Sequence, residues 1–420
     1  MAYDEIAMLL GGWEGFELVG VRREPAAADA PAVIELELRP LPNHAKRCGG
    51  CGAVVAAVHD VSERRVRDLP ILEAETWLVF PRARLACPRC GPTVEAVPWL
   101  DRYQRLTTRL ADAIARLAQV LPVKHVAAWF GVGWETVKRI DKRALAARLG
   151  PPALDGVRVL AIDEFALHRG QRYATVVADA ETRRVLWVGA GRDRAAVRAF
   201  FALLGPARCA RVEAVVMDMS QAFAAEARAA CPGAAVVYDR FHVQAGYNRE
   251  VVDRVRVDET DRLGRALPRG DPGRVARVAA RREMRGSRWL LLANRAGLGK
   301  PADRVRLYEL LAANAALFTV YVLKEDLARL WTYTYPGAAR RCWADWSARA
   351  RESGLPALAR FADRLARHID GVINHCRYPL NTGFLEGINN KIKVLKRMAY
   401  GYRDEEYFFL KIRAAFPGNP

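Results

Sequence analysis

Four cysteines in two identical pairs offer the clearest metal-binding chemistry in the sequence. Cys48 and Cys51 form one Cys-x-x-Cys pair, Cys87 and Cys90 form the second, and a glycine follows each pair. Two such pairs can supply the four thiolates of a tetrahedral zinc site. A redox-active pair is the alternative, but neither pair opens a βαβ unit. We therefore predict a structural Zn²⁺ site with a small sheet between the two pairs.

Two acidic residues follow apolar runs that are typical of buried strands. Asp163 comes after residues 159–162, and Asp218 comes after residues 215–217. If these strands are neighbours, the two carboxylates lie close together and repel each other unless a cation sits between them. Asp239 also follows a strand-like run and competes with Asp218 for the second position. We favour Asp218 because its strand is expected to lie beside the first.

Glu386 is a third candidate acid, at the head of a segment with helical periodicity. One face of that helix carries an apolar stripe, formed by Leu385, Ile388, Ile392 and Leu395. A second face carries polar and basic groups, namely Glu386, Asn390, Lys393 and Arg397. A solvated surface helix with a single acid is the alternative interpretation. Together with Asp163 and Asp218, however, Glu386 could hold two Mg²⁺ ions for an in-line displacement at phosphorus.

Several predicted elements position these residues. Helices over residues 110–117 and 123–130, a turn at 131–133 and a basic helix from Trp134 to Arg143 match a helix-turn-helix. The predicted DNA contacts on that last helix are Trp134, Thr136, Lys138, Arg139, Lys142 and Arg143. Generic three-helix packing would look similar. The segment 149–152, Leu-Gly-Pro-Pro, marks a domain boundary.

Beyond that boundary the pattern predicts an α/β domain. Three strands (157–162, 172–178 and 184–188) precede alternating helices and strands up to residue 238. This order matches a ribonuclease-H-like fold, and the lack of a Gly-rich first turn argues against a doubly wound dinucleotide-binding fold. From Arg249 to about Asp370 the pattern is helical, first rich in arginine and then in aromatic residues, most of which are expected to be core.

Composition narrows the class of partner. The chain has 420 residues and a net charge of +19, which favours a polyanion such as nucleic acid. A basic protein without such a partner is the alternative. No signal peptide or membrane-spanning stretch is apparent, so a cytoplasmic protein, nucleoid-associated when bound to DNA, is expected. In a reducing compartment the cysteines favour metal over disulfides.

Four segments together resemble the ISL3 family of insertion-sequence transposases. They are the cysteine pairs with Val58-His-Asp60 and Arg67-Asp-Leu-Pro-Ile71 between them, residues 161–165, residues 239–243, and residues 386–403. The resemblance spans nearly the whole chain and implies a DDE catalytic core with Asp163, Asp218 and Glu386 as its acids. It also implies a helical insertion ahead of the glutamate. The segment Gly91-Pro-Thr-Val-Glu95 departs from the family pattern, so the resemblance implies the zinc site but no detailed DNA contacts at this segment.

The resulting prediction is a multidomain α/β protein. Its expected domains are an N-terminal zinc domain (1–105), a helix-turn-helix (106–150), the first part of a ribonuclease-H-like core (151–248), a helical insertion (249–372) and the final part of the core (373–420). Phosphate contacts are also expected from Lys391, Lys393, Lys396, Arg397 and Arg403.

The predicted function is a DNA transposase that binds terminal inverted repeats, cleaves DNA with Mg²⁺ and joins the ends to target DNA. A homodimer or larger assembly on DNA is expected. A domesticated transposase acting as a DNA-binding regulator, and a structure-selective nuclease of the same fold, are the alternatives.

Overall fold

A computed structural model describes residues 2–28, 31–168, 170, 172–265, 270–380 and 383–419. The chain divides into two compact units. Unit 1 comprises Met1–Gly150 and Lys396–Tyr402, and unit 2 comprises Pro151–Leu395 and Arg403–Pro420. None of the helices in the described ranges combines the length and the apolar character that a membrane crossing requires.

Unit 1 begins with a mostly antiparallel sheet. Its elements are α1 (Ala2–Leu9), β1 (Phe16–Glu24), β2 (Val33–Pro40), β3 (Arg47–Cys48), β4 (Val58–Ile71), β5 (Ala74–Cys87) and β6 (Gly91–Ala96). The strand order is β1-β2-β5-β6-β3, and β4 pairs with β5 along most of its length. Phe16, Phe80 and Trp99 pack edge to face in its core. The predicted sheet between the cysteine pairs is therefore confirmed.

Three helices complete the main part of unit 1: α2 (Thr108–Leu117), α3 (Val123–Phe130) and α4 (Trp134–Leu149). The Thr107 side chain caps α2 by accepting from the Leu110 N–H, as threonine commonly does at this position. Gly131 ends α3 with a φ of 60°, a left-handed conformation that favours glycine. Leu110, Val126 and Val137, one from each helix, share an apolar core. The structure confirms the predicted bounds of α3 and extends α4 beyond Arg143.

Unit 2 contains a five-stranded sheet with helices between its later strands. The elements are β7 (Val159–Ala166), β8 (Tyr173–Asp179), β9 (Val185–Ala190), α5 (Arg194–Leu204), α6 (Pro206–Cys209), β10 (Ala214–Met217), α7 (Gln221–Ala230) and β11 (Ala235–Tyr238). The strand order is β11-β10-β7-β8-β9. The strands β7, β8 and β9 form an antiparallel meander, while β10 runs parallel to both β7 and β11.

Asp163 does not end its strand, contrary to the sequence-based expectation. β7 continues to Ala166 as one arm of a hairpin with β8, and Asp163 is paired there with Val176. On the other side of β7, however, the pairing with β10 stops at Ala161. Asp163 therefore lies just beyond the last parallel pair of β7 and β10, although β7 itself continues to Ala166.

The remainder of unit 2 is helical in the described residues. The α-helices are α8 (Arg240–Tyr247), α9 (Asp253–Gly264), α10 (Arg274–Gly286), α11 (Arg288–Leu292), α12 (Pro301–Ala312), α13 (Ala315–Ala328), α14 (Pro336–Glu352), α15 (Pro356–Ala366), α16 (Ile369–Ile373), α17 (Gly383–Met398), whose last three residues belong to unit 1, and α18 (Glu405–Ala415). A π-helix, Asn248–Val252, joins α8 to α9. Trp343 and Trp346 are buried, as expected for core aromatics, whereas Tyr335 is exposed.

Candidate active site and DNA-binding elements

Three aspartates lie in a row across β7, β10 and β11. The register pairs Val216 with Ala161, and Asp218 and Asp163 each lie two residues further along their own strands. On the other side, Met217 pairs with Tyr238, so Asp218 and Asp239 are the next residues on two parallel strands. The backbone register therefore places the three aspartates on neighbouring strands, at the edge of the sheet where β10 and β11 end.

Asp163 is held by one backbone and one side-chain hydrogen bond. Its Oδ1 accepts from the Glu164 N–H at 2.8 Å, and its Oδ2 accepts from the Asn389 amide at 2.7 Å. Its pKa is raised to about 6, chiefly because the carboxyl group is buried, and the nearby Asp218 charge adds to this increase. The side chain is therefore costly to ionise where it stands, as expected for a carboxylate that a cation would stabilise.

Asp218 opens onto a cleft of about 400 Å³, whose wall also includes Glu164, Arg192, His242 and Arg249. Its Oδ1 accepts from the Ser220 N–H at 3.0 Å. Burial raises the pKa of Asp218, and the negative charge of Asp239 raises it further. We call this cavity the acidic cleft.

Asp239 has a different local role. Its Oδ1 caps α8 by accepting from the Phe241 N–H at 2.9 Å, and its Oδ2 lies 2.9 Å from His242 Nδ1. The hydrogen bond with Asp239 raises the pKa of His242 above its ordinary value. Both oxygens of Asp239 are thus engaged by α8, and a positively charged His242 would offset part of the negative charge in the cleft.

Glu386 lies in the first turn of α17 and is exposed. The residue of α17 that reaches Asp163 is Asn389, one turn further along the same face. Among the described residues, only the cysteines form a set of three or more potential metal ligands within 4.8 Å of one another. The structure therefore brings Asp163 and Asp218 to one edge of the sheet but does not bring Glu386 into such a set with them.

The four predicted cysteine ligands converge in unit 1. The sulfur atoms of Cys48, Cys51, Cys87 and Cys90 all lie within 4.8 Å of one another. Cys51 Sγ and Cys87 Sγ are 3.7 Å apart. A tetrahedral zinc ion with bonds of about 2.3 Å to sulfur would separate its ligands by about 3.8 Å, so the donor set fits zinc.

The backbone around the cysteines supports the same conclusion. Gly52 and Gly91, which follow the two pairs, have φ values of 72° and 69°, so each turn uses the left-handed region. The backbone N–H groups of Gly50 and Cys51 lower the pKa of Cys48 to about 6. Thiolate is the form that binds zinc.

The six residues of α4 that were predicted to contact DNA differ in exposure. Trp134, Arg139 and Arg143 are exposed, and Thr136, Lys138 and Lys142 are half-buried. Arg143 forms an ion pair with Asp101 at 3.0 Å.

The basic residues near the C-terminus are divided between the two units. In unit 2, Lys391 donates to the Ala415 carbonyl at 2.7 Å, and Lys393 contacts Asn390 Oδ1 at 3.4 Å. Arg403 is an exposed residue of unit 2, while Lys396 and the exposed Arg397 belong to unit 1.

Three family profiles match the chain. A DDE transposase profile of family ISL3, described as "Transposase", matches residues 160–412. A profile described as the helix-turn-helix domain of transposase family ISL3 matches residues 95–145. A third, the zinc-finger of transposase IS204/IS1001/IS1096/IS1165, matches residues 44–90. The chain belongs to the ISL3 family of transposases.

Similar proteins agree with this assignment along the whole chain. The transposase for insertion sequence element IS1001 of Bordetella parapertussis is 50% identical over 411 residues, which cover 98% of this chain and 97% of the relative. The transposase for insertion sequence element IS1557 of Mycobacterium tuberculosis is 31% identical over 412 residues, covering 91% of this chain and 88% of the relative. The predicted transposase function, zinc ribbon and DNA-binding helix-turn-helix are confirmed, and no finding supports the regulator alternative.

Sequence reasoning about this ISL3 transposase missed Asn389. The helical face predicted for Glu386 included Asn390, yet Asn390 is exposed and Asn389 contacts Asp163. Positions i and i+3 of a helix share a face as well as i and i+4, so the spacing of Glu386 and Asn389 could have indicated this residue.

A second missed feature is the pair Arg67-Asp68 in β4. Asp68 accepts from Trp13 Nε1 at 3.2 Å, from Thr107 Oγ1 at 2.7 Å and from Arg109 Nε at 2.8 Å. Arg67 donates to the Phe130 carbonyl at 3.1 Å. Both side chains therefore tie the zinc-ribbon sheet of unit 1 to the helix-turn-helix, at the start of α2 and the end of α3.

Proposed function

We propose that this transposase binds the terminal inverted repeats of its insertion sequence, cleaves DNA at those ends and joins them to target DNA with Mg²⁺. We assign the catalytic core to the ribonuclease-H-like fold, interrupted by a helical insertion. The domain limits are those predicted from the sequence: 1–105, 106–150, 151–248, 249–372 and 373–420. The observation that carries this proposal is the alignment of Asp163 and Asp218 at the open edge of the sheet.

The sheet order supports the fold assignment. An antiparallel meander followed by two parallel strands on its first-strand side, in the order β11-β10-β7-β8-β9, is the arrangement expected of that core. The described elements between β11 and α17 are helical, which fits an insertion ahead of the last acid.

Asp218 is a better second acid than Asp239. Asp239 uses both oxygens on α8, as the cap of its first turn and as the partner of His242. Asp218 faces the acidic cleft, and among the described residues its carboxylate is hydrogen-bonded only through Oδ1, which accepts from the Ser220 backbone N–H.

Glu386 completes the proposed site through α17. The hydrogen bond between Asn389 and Asp163 fixes the helix at the sheet edge, and Glu386 lies one turn before that contact. The basic groups Arg192 and Arg249 line the cleft and would hold the phosphates of the bound strand.

The donor set fits magnesium. Mg²⁺ prefers carboxylate and amide oxygens, and Asn389 Oδ1 is a buried oxygen without a hydrogen-bond partner among the described residues. Asp163, Asp218 and Glu386 would hold two ions, which when bound supply an activated hydroxyl and stabilise the leaving oxygen. The protein's own contribution is to fix these carboxylates in one orientation and to hold the phosphate backbone.

The other proposals concern assembly and DNA contacts. Pairing two element ends requires two recognition helices, so we propose a homodimer or larger assembly on DNA in the cytoplasm. Exposed Trp134, Arg139 and Arg143 on α4 would enter the major groove, with the remaining predicted residues of that helix in support. Lys393, Lys396, Arg397 and Arg403 would contact phosphates, and Lys391 would do so only after leaving the Ala415 carbonyl.

The decisive experiment compares single substitutions in a cleavage assay on a duplex that contains one element end. Asp163→Asn, Asp218→Asn and Glu386→Gln are expected to abolish Mg²⁺-dependent cleavage and to leave end binding intact. Asp239→Asn is the matched control, because asparagine also caps helices and is expected to retain measurable cleavage. Cleavage by Glu386→Gln would refute the assignment of the third acid. Loss of cleavage in Asp239→Asn with retention in Asp218→Asn would reverse the choice of the second.

A further inference from the structure

A second cleft in unit 2 is lined mainly by arginines. It has a volume of about 640 Å³. One wall is formed by the π-helix Asn248–Val252 and the start of α9, and the other by α15 and Arg367 just after it. Its guanidinium groups are those of Arg249, Arg254, Arg360, Arg364 and Arg367. We call this cavity the arginine cleft.

Helical spacing places three of these arginines on one side of α15. Arg360, Arg364 and Arg367 stand at positions i, i+4 and i+7, which share a helix face. Leu358, Ala362 and Leu365 are buried in the core of the unit. Along the helix axis the three arginines span about 10 Å, which is about three nucleotides of one DNA strand.

The cleft retains an excess of positive charge after its ion pairs are counted. Glu250 pairs with Arg364 at 2.5 Å and with Arg249 at 3.0 Å. Arg254 pairs with Asp258, which is not in the lining, and Asp363 pairs with Arg351. In the part of the chain that the structure describes, no ion pair is found for the exposed Arg360 or Arg367. The cleft is therefore open to an anionic partner.

The ion pair with Glu250 engages only Nη1 of the Arg364 guanidinium. Arg364 Nε and Nη2 are buried and have no hydrogen-bond partner among the described residues.

The arginine cleft adjoins the acidic cleft. Arg249 lines both cavities, and Gly246 lines the acidic cleft at the point where Arg364 approaches it. A Cβ on Gly246 would lie 3.2 Å from Arg364 Nη2, so glycine permits this close approach. The π-helix Asn248–Val252 begins here, and such irregular turns are frequent at functional sites.

We propose that the arginine cleft binds the sugar–phosphate backbone of the DNA that continues from the acidic cleft. The proposal rests on the function proposed above, because it assumes that a DNA strand occupies the acidic cleft. The aromatic residue of the lining, Phe361, is 1% exposed and offers no face for base stacking. The contact is therefore to the backbone and independent of base sequence.

The test measures DNA binding in a Glu386→Gln background, so that cleavage does not enter the result. The test variant is Arg360→Ala/Arg367→Ala, which removes two exposed arginines without breaking an ion pair of the described structure. The matched control is Arg274→Ala/Arg285→Ala, two exposed arginines of α10 in the same unit that line neither cleft. The probe is a labelled duplex that contains one element end and its flanking DNA on both sides.

Each lost phosphate contact lowers the slope of log Kd against log salt by about 0.9. The test variant is expected to show a slope smaller by about 1.8 and an affinity at least about tenfold lower at 0.1 M salt. The control variant is expected to bind like the parent. On a duplex shortened to the base pairs read by the helix-turn-helix, the test variant and the parent are expected to bind equally.

Three outcomes would overturn the proposal. The test variant could bind the long duplex as tightly as the parent does, the control variant could lose as much affinity as the test variant, or the test variant could lose as much affinity for the shortened duplex as for the long one. Failure of the proposed catalytic function would show up separately, as cleavage by Glu386→Gln. The binding measurement would stand in either case.

Discussion

Replacing Asn389 by alanine tests how α17 supports the candidate metal site. The Asn389 amide donates to Asp163 Oδ2 at 2.7 Å and lowers the pKa of that carboxyl group, which burial raises to about 6. Without this donor, the ionised form of Asp163 loses a charge-assisted hydrogen bond. We therefore expect Asn389→Ala to weaken Mg²⁺ binding, because metal ligands must be deprotonated.

The expected size of the effect follows from the burial of this contact. Asp163 is 8% exposed, so water compensates little for the lost donor. A hydrogen bond to a charged group contributes about 1.5–3 kcal/mol, and 1.36 kcal/mol corresponds to a factor of about 10 in an equilibrium constant. The half-saturating Mg²⁺ concentration should therefore rise by about 10- to 100-fold, as is typical when the partner of a metal ligand is removed.

The assay is a Mg²⁺ titration of end cleavage, paired with calorimetric titration of Mn²⁺ into the DNA-free protein. Asn390→Ala is the control, because it removes the same amide one position away, where the side chain is exposed and contacts Lys393. Its Mg²⁺ requirement is expected to stay within about twofold of the parent, since that contact does not involve the proposed ligands. Equal shifts in the two variants, or an unchanged Mg²⁺ requirement in Asn389→Ala, would refute the role assigned to Asn389.

Three further predictions concern stability. Substitution of Cys87 by serine should remove the zinc seen by native mass spectrometry and unfold the ribbon, whereas Cys209→Ser should retain it. Burial alone would raise the pKa of Asp68, but hydrogen bonds from Arg109 and Thr107 outweigh it and lower that pKa. Ionised Asp68 therefore stabilises unit 1 at pH values above its unfolded pKa, and this stabilisation is lost as the pH falls through the lowered folded pKa. Asp68→Asn should lower the free energy of unfolding by about 3 kcal/mol, measured by urea unfolding at pH 7. The control Asp101→Asn, at an exposed aspartate, should change that free energy little. Burial lowers the pKa of Lys324 to about 8. The unfolded chain then binds more protons from pH 8 to about 10, so the unfolding free energy of unit 2 should rise over that range, and Lys324→Met should flatten the rise.

Local signals predicted the DNA-binding helices and the zinc ligands. The α3 bounds followed from apolar periodicity and from Gly131, whose left-handed conformation ends the helix. Each cysteine pair is likewise a local turn followed by its own glycine. The two pairs are 36 residues apart, but four thiolates match the ligand number of one zinc ion, so their count was enough to predict that the pairs meet.

Non-local contacts explain what the sequence did not show. Asp163 was expected at the end of its strand because the apolar run stops there, yet the β8 hairpin carries β7 onward to Ala166. The pairing of Asn389 with Asp163 joins residues that are 226 positions apart. Neither follows from periodicity, since each depends on which segment the fold places alongside.

In our proposal the two clefts of unit 2 act differently on the same DNA: the acidic cleft cleaves it and the arginine cleft binds its backbone. A carboxylate cluster repels a phosphate backbone, so a site built from Asp163 and Asp218 needs cations to admit DNA at all. Arg249 lies in the wall of both clefts, so it joins the cleft that contains Glu164 and Asp218 to the cleft that contains the arginines of α15. A strand held by the arginines of α15 would reach the acids without depending on them for affinity. This separation explains why, in our proposal, Glu386→Gln is expected to block cleavage and leave binding intact, while Arg360→Ala/Arg367→Ala is expected to weaken binding through the salt-dependent contribution alone.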